Sequence, residues 1–261
     1  MKQKIKSGYG SGTKMKIFFC WLLLIGWGFS GELRVLAYNI HHGEGMDDAV
    51  DLPRIADVIR SEKPDFVALQ EVDKGVNRSG KVNQAMVLGE LLGMYHNFAK
   101  FMDYDGGEYG LAVLSKYPIL KSHIHRLPVG AEPRVVLEVE AMVNGKPISF
   151  ASIHLDWTKS SLRVAQFKAL DKALAIRKHP VIVAGDYNAE PDSPTMQLAR
   201  QSGFIIPKLN PNLTWPADAP KVEIDYIVIR GMMPSIKATS TVLGERIASD
   251  HRPVVGVIQW P

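Results

Sequence analysis

Apolar residues recur along this chain in two rhythms, and the two alternate. Nearly unbroken apolar runs at Leu33 to Ile40, Phe66 to Leu69, Gly110 to Leu114 and Val181 to Ala184 predict strands buried in a core. Between them, spacings of three and four predict helices. Asp51-Leu52-Pro53 supplies an N-cap carboxylate and a first-turn proline. Leu52, Ile55, Val58 and Ile59 then share one face, and Pro64 ends the helix. Asn83 to Leu92 carries a second stripe (Val87, Leu88, Leu91, Leu92) stopped by Gly93. Ser160 or Ser161 is expected to cap a long helix bearing Leu162, Ala165, Leu170 and Leu174, and Ser193-Pro194 to open another. Val135 to Val143 and Ile148 to Leu155 flank Asn144-Gly145, a hairpin signal because both positions tolerate positive φ. After a proline-rich loop from Pro207 to Pro220, Val222 to Ile229 and Val254 to Trp260 supply late strands. Mixed strands and helices with at least one hairpin place the chain in the α/β (α+β) class and exclude a purely parallel sheet.

Polar residues stand at the ends of these runs, where a β-scaffold presents chemistry rigidly. Asn39 ends the first run, Glu71 follows the second, and His154 follows Ile148-Ser149-Phe150. Asp186 and Asn188 follow Val181 to Ala184, and Asp225 lies in Glu223-Ile224-Asp225-Tyr226. Near the C-terminus, Ser249-Asp250-His251-Arg252-Pro253 sets a carboxylate beside an imidazole at a strand entrance, which suits a metal-and-base centre for hydrolysis. Each has a plain structural role when taken singly. Asn39 and Asp186-Asn188 could be turn residues and Glu71 a solvated strand end. His154 and Asp225 could be satisfied buried groups, and Asp250-His251 a cap and a packed ring. Their joint recurrence at strand ends argues for a site. Asn and carboxylate oxygens without a thiol suit a hard cation, Mg²⁺ or Mn²⁺ with Ca²⁺ as an alternative, rather than structural zinc. Two histidines then remain for work on a phosphate, one as base and one as hydrogen-bond donor.

Composition changes the picture mainly at the N-terminus. Of the 261 residues, 46% are hydrophobic and 22% charged, ordinary for a globular protein. Lys2, Lys4, Lys6, Lys14 and Lys16 precede the apolar run Ile17 to Phe29, which ends at Ser30-Gly31. This reads as a secretory signal peptide over residues 1–31, starting at Met1 or Met15, with an uncleaved membrane anchor as the alternative. The run is shorter than the ~20 residues of a spanning helix. Removing it leaves 26 basic against 27 acidic residues, so the mature chain is near neutral although the full sequence carries +4. A bulk basic footprint for nucleic acid is therefore absent. The one cysteine, Cys20, leaves with the segment, so disulfides and thiolate zinc sites are excluded. Residues 32–261 show no repeat, low-complexity tract or linker and are expected to form one domain.

The motifs that carry a family resemblance are Asn39, Leu69-Gln70-Glu71-Val72, Leu114-Ser115-Lys116-Tyr117-Pro118-Ile119, His154-Leu155-Asp156, Gly185-Asp186-Tyr187-Asn188, Ile224-Asp225-Tyr226 and Ser249-Asp250-His251. In this order the chain resembles the endonuclease/exonuclease/phosphatase superfamily, which includes deoxyribonuclease I, abasic-site endonucleases, neutral sphingomyelinases and inositol polyphosphate 5-phosphatases. The resemblance implies a four-layer sandwich, two mixed β-sheets face to face with helices outside. It also implies roles. Asn39 and Glu71 hold the metal, with Asp250 near it. His251 is the general base or the phosphate-polarising histidine, and Asp225 orients it. His154 and Asn188 contact phosphate oxygens, and Asp186 positions the attacking water or supports the metal. Arg134 matches a strand-start arginine near the site. Tyr109 stands one residue from the place where abasic-site endonucleases carry a catalytic tyrosine, so it is assigned only to substrate binding.

The expected activity is a secreted or periplasmic, Mg²⁺-dependent hydrolase of a phosphate ester, with Mn²⁺ as the alternative ion. A small or lipid-derived phosphodiester is favoured over nucleic acid by the near-neutral charge and by the absence of basic runs interleaved with aromatics. A secreted DNA or RNA endonuclease is the enzymatic alternative. A catalytically inactive phosphate-binding module is the other, and the intact Glu71, His154, Asp186, Asp225 and His251 argue against it. Once a signal peptide is cleaved no membrane span remains. The sequence is silent on oligomeric state.

Overall fold

Both faces of strand β1 (Gly31–Asn39) are buried, and each face belongs to a different core. Leu33, Val35 and Ala37 join one apolar cluster, whereas Leu36, Tyr38 and Ile40 join another. The period of two along the strand thus divides its side chains between two layers. The computed structural model describes Met1, residues 31–231 and residues 236–260. The segment read above as a signal peptide, apart from Met1 and Gly31, lies outside the described residues.

Strand β1 pairs in parallel with β2 (Phe66–Lys74) and antiparallel with β11 (Val254–Trp260). With β3 (Tyr95–Tyr104), β4 (Gly107–Ser115) and β10 (Lys237–Val242) they form a six-stranded sheet in the order β10-β11-β1-β2-β4-β3. The second sheet has five strands: β5 (Lys121–Arg126), β6 (Val135–Val143), β7 (Lys146–His154), β8 (Val181–Asp186) and β9 (Asp225–Arg230), in that order. Only β7 and β8 run parallel in it, so both sheets are mixed. Val35, Phe66, Leu137, Phe150, Ile182 and Ile227 interdigitate between the sheets, with the rings of Phe66 and Phe150 stacked at 5.0 Å. Helices α1 (Leu52–Glu62) and α2 (Gln84–Leu92) cover the outer face of the first sheet through Ile55, Ile59 and Leu88. Helices α3 (Ser160–Leu174) and α4 (Pro194–Gln201) cover the second through Phe167, Leu170 and Met196. The result is the four-layer sandwich that the resemblance implies, with the mixed sheets that the strand pattern predicts. Each fully buried Val, Leu, Ile or Phe contributes about 1.5–3 kcal/mol, which is why both sheets read as nearly continuous apolar runs.

Local signals act largely as expected. Asp51 caps α1 by accepting from the Arg54 N–H at 2.9 Å, and Asn83 and Ser193 cap α2 and α4. Asn144 and Gly145 turn the β6–β7 hairpin with φ of 49° and 76°. Helix α3 differs. Neither serine caps it, because its N-cap is Lys159, and Asp156 Oδ1 takes up the N–H groups of Thr158 and Lys159 at 2.8 and 3.0 Å. Its buried face is Gln166, Phe167, Leu170 and Leu174, which leaves Leu162 and Ala165 at the margin. Strand β9 starts at Asp225 rather than Val222, which instead bridges to Trp215.

The most consequential difference lies in β2. The strand continues through Glu71 to Lys74, so Glu71 is not at its end. A bulge breaks the register between Gln70 and Val72, and Glu71 takes a φ of 57° there. A bulge re-aims a side chain without ending the strand.

Candidate active site

Strand register brings the predicted residues together. His154 ends β7 opposite Asp186 at the end of parallel β8, and Asp186 in turn faces Asp225 at the start of antiparallel β9. Across the sandwich, Asn39 ends β1 and Glu71 sits on the β2 bulge. Two features set this approach of one sheet to the other. Gln70 Nε2 donates to Ser152 Oγ at 2.9 Å, and that hydroxyl donates to the Leu69 carbonyl at 3.0 Å. Gly185, at φ 145°, has no room for a side chain, since a Cβ would sit 2.1 Å from the Ile153 carbonyl oxygen and 2.8 Å from Gln70 Nε2.

Asn39 joins the two sheets at the site. Its Nδ2 donates to Glu71 Oε1 at 2.9 Å and reaches Asp186 Oδ2 at 3.4 Å, while its Oδ1 accepts from the His41 N–H. Asp186, Asp225 and His251 offer ligand atoms that all lie within 4.8 Å of one another, and all three residues are buried. Asp225 Oδ2 accepts from His251 Nδ1 at 3.0 Å, so His251 Nε2 is left to face Asp186 Oδ2 at 3.8 Å. On the other side His154 Nε2 lies 3.4 Å from Asp186 Oδ2. Arg134 can only donate, so its Nη1–H to His154 Nδ1 at 3.3 Å forces the histidine proton onto Nε2. Glu132 at 2.9 Å and the face of Phe101 hold that buried arginine. Asn188, at φ 47°, donates its backbone N–H to Asp186 Oδ1 at 2.8 Å and its amide to the Leu155 carbonyl.

Burial and charge then divide the roles. Burial, reinforced by the positive charges of Arg134 and His251, holds the His154 pKa well below the ordinary histidine value, so this ring is a neutral Nε2–H donor. Burial and the neighbouring Asp225 charge push Asp186 up to about 7, against the pull of His251 and the Asn188 N–H. For His251 burial works downward, but the charge and hydrogen bond of Asp225, with Asp186 and Asp250, outweigh it and raise the ring to about 10. Two buried carboxylates thus flank one imidazolium.

These groups floor a cavity of about 820 Å³. Glu71, His154, Asp186, Asn188 and His251 line it, as do Arg134 and Tyr109. Tyr109 is buried and packs edge-on to Phe101 at 5.7 Å. Asp250 is placed differently. Its Oδ2 accepts from Trp215 Nε1 at 3.3 Å, and it belongs to neither of the ligand clusters found among the described residues. Four residues of the site escaped the sequence reading. His41 and His42 follow Asn39 directly and cluster with Glu71, and the doublet itself was the available signal. Trp157 and Trp215, 62% and 40% exposed, stand at the cavity rim, and Trp157 comes straight after His154-Leu155-Asp156.

The donor set fits a hard divalent cation. Glu71, Asp186 and Asp225 concentrate carboxylate oxygens from both sheets against one imidazolium, and Asn39 Nδ2 ties the Glu71 and Asp186 carboxylates together.

The fold and this floor of carboxylates and histidines define a phosphoesterase-type sandwich. The profile of the Endonuclease/Exonuclease/phosphatase family matches residues 36–251, and the chain belongs to that family. Members of this family are generally metal-dependent hydrolases of phosphate esters. The chain is 28% identical over 240 residues to YbhP of Escherichia coli K12, itself uncharacterized, covering 85% of this chain and 94% of that one. Among solved structures it is similar to an endonuclease/exonuclease/phosphatase from Beutenbergia cavernae (TM-score 0.70, 23% identity, 87% of this chain and 71% of that one). It is also similar to the mannosyl-6-phosphatase Bt3783 of Bacteroides thetaiotaomicron (TM-score 0.69, 18% identity, 87% and 99%).

Proposed function

We propose that residues 32–261 act as one exported catalytic unit, a Mg²⁺-dependent phosphoesterase of a small or lipid-derived phosphodiester. The observation that carries this reading is the buried Asp186–Asp225–His251 cluster facing His154 across the cavity floor. Mg²⁺, or Mn²⁺ in its place, would be held by Glu71 and Asn39 with Asp186 or Asp250 in support, and supplies charge neutralisation at the phosphoryl oxygens when bound. The chain's own groups do the rest. A water oxygen forms the new bond to phosphorus in line with the ester oxygen, whose bond to phosphorus breaks and which leaves as the alkoxide and takes its proton from solvent to become the alcohol. Asp186, raised toward neutrality, accepts the water's proton. His251 arrives already protonated, which favours the polarising role over that of base, and its Nε2–H faces the phosphate with the His154 Nε2–H. Asn188 orients the group through Asp186, and Arg134 fixes the His154 tautomer. Tyr109 shapes the wall of the substrate cavity.

The rim supports a compact substrate. Glu190, Asp192 and Arg163 line the cavity together with Trp157 and Trp215, and Glu132 there is already paired with Arg134. Carboxylates there repel a polyanion, whereas indoles offer flat apolar contact to a headgroup, a sugar or a lipid stem. The mannosyl-6-phosphatase neighbour is a precedent for a small phosphate ester on this fold.

A Mg²⁺ activity panel tests the reading: bis-p-nitrophenyl phosphate, sphingomyelin, phosphoinositides, sugar phosphates and plasmid DNA. A small or lipid diester is expected to be turned over best, with shallow salt dependence. Efficient plasmid cleavage that falls roughly 10³-fold between about 50 and 200 mM salt transfers the assignment to a nuclease.

Export rests on the basic n-region, the short apolar run and Ser30-Gly31. Among the described residues no helix is long and apolar enough to cross a membrane. Mass spectrometry of the natively expressed protein is expected to find a mature N-terminus near Glu32. A full-length, membrane-integrated chain rejects the export reading.

A further inference from the structure

Directly after Asn39 the chain does something unusual. His41 and His42 both take positive φ, 44° and 45°, in a short turn that carries them toward Glu71, itself at φ 57°. Non-glycine residues in this region cost about 1–3 kcal/mol each and gather where function needs them. One donor atom each from His41, His42 and Glu71 lies within 4.8 Å of the others.

The ring nitrogens show a division of labour. His41 Nδ1 lies 3.3 Å from the Glu44 carbonyl, which can only accept, so Nδ1 carries the proton and Nε2 keeps its lone pair. His42 Nε2 lies 3.3 Å from the Glu44 carboxylate, so Nε2 carries the proton and Nδ1 keeps the lone pair. His42 is only 6% exposed, and its Nδ1 is buried with no hydrogen-bond partner. A buried acceptor without a partner costs about 1–3 kcal/mol unless something fills it. One residue, Glu44, therefore holds both imidazoles through the nitrogen not needed for a ligand, the arrangement that orients metal-binding histidines in general.

We propose that His41 Nε2, His42 Nδ1 and the Glu71 carboxylate form a second cation site, selective for a borderline first-row divalent ion of the Zn²⁺ type over Mg²⁺. Two imidazoles and one carboxylate suit such an ion, whereas Mg²⁺ prefers oxygen donors. The site shares Glu71 with the magnesium reading above but stands on the two rings.

The test uses the intact chain, freed of metal by chelation and dialysis, labelled with ¹⁵N-histidine and titrated with Zn²⁺ under saturating Mg²⁺. Zn²⁺ is expected to shift His41 Nε2 and His42 Nδ1 and to give one calorimetric binding event. His41→Ala and His42→Ala should each weaken that event at least roughly 10-fold, and Glu44→Gln, acting only through the His42 ring because the carbonyl that holds His41 is backbone, by roughly 10-fold. Zn²⁺ that shifts only His154 and His251, or that binds both histidine variants as tightly as the wild type, overturns the site. Should a variant fail to fold, the ring-nitrogen shifts of the wild type decide alone. Because turnover is not the readout, this site and the proposed hydrolase can fail independently.

Discussion

His251→Ala is expected to lower kcat by roughly 10²–10⁴-fold, the range for loss of a positioned proton-transfer or hydrogen-bonding group. Asp225→Asn alone should cost about 10²-fold, because an amide oxygen can still accept from His251 Nδ1–H but the ring loses the charge that keeps it protonated and oriented. The two residues act as one unit, so Asp225→Ala placed on His251→Ala should add little. Steady-state kinetics of the two single variants and the double variant check this. Fully multiplicative losses would sink the pairing and leave Asp186, 3.8 Å from His251 Nε2, as the residue that positions the ring.

The same cluster sets the sign of the pH response. Asp186 must be ionised to accept a proton, and burial beside Asp225 raises it to about 7. Activity therefore rises as pH increases through that region, while His251, raised to about 10, keeps its proton throughout. A bound cation favours the ionised carboxylate, so the acid limb should move to lower pH as Mg²⁺ is increased.

What the sequence made legible follows burial. Strands β1, β2, β4, β6, β7, β8 and β11 announced themselves because internal strands bury both faces and read as apolar runs. The strands that escaped were β3, β5 and β10, and all three are edges. In β5, Lys-Ser-His-Ile-His-Arg buries no residue fully, so no apolar signal exists to read. The site was legible where its residues end apolar runs, as Asn39, His154 and Asp186 do. It was illegible where backbone geometry matters more than residue order. Nothing in Gln70-Glu71-Val72 shows that the strand bulges and continues, and nothing in Ile40-His41-His42-Gly43 shows two rings held by one glutamate. The placement of Asp250 against Trp215 depends on a loop contact 35 residues distant in sequence, beyond the reach of local pattern.

Chelation is expected to abolish hydrolysis, and added Mg²⁺ or Mn²⁺ to restore it. Glu71→Gln separates the cation's role from the fold's. The substitution keeps shape and the bond from Asn39 Nδ2, now to the glutamine Oε1, but removes one negative charge from a site crowded with Asp186 and Asp225. The variant should therefore bind Mg²⁺ at least roughly 10-fold more weakly, a change of about 1.4 kcal/mol. Without cation it should be at least as stable as the wild type, because the carboxylates left behind repel less. Added Mg²⁺ should raise the Tm of the wild type through preferential binding to the folded state and leave that of the variant nearly unmoved at the same concentration. Thermal melts of both proteins in EDTA and across a Mg²⁺ series measure these effects. Full activity in EDTA overturns the metal assignment itself, whereas an identical Mg²⁺ shift in Tm for wild type and variant removes Glu71 from the cation's ligands. The oxygen-donor site would then have to be rebuilt around Asp186 and Asp225 alone, the two carboxylates that His251 already partly neutralises.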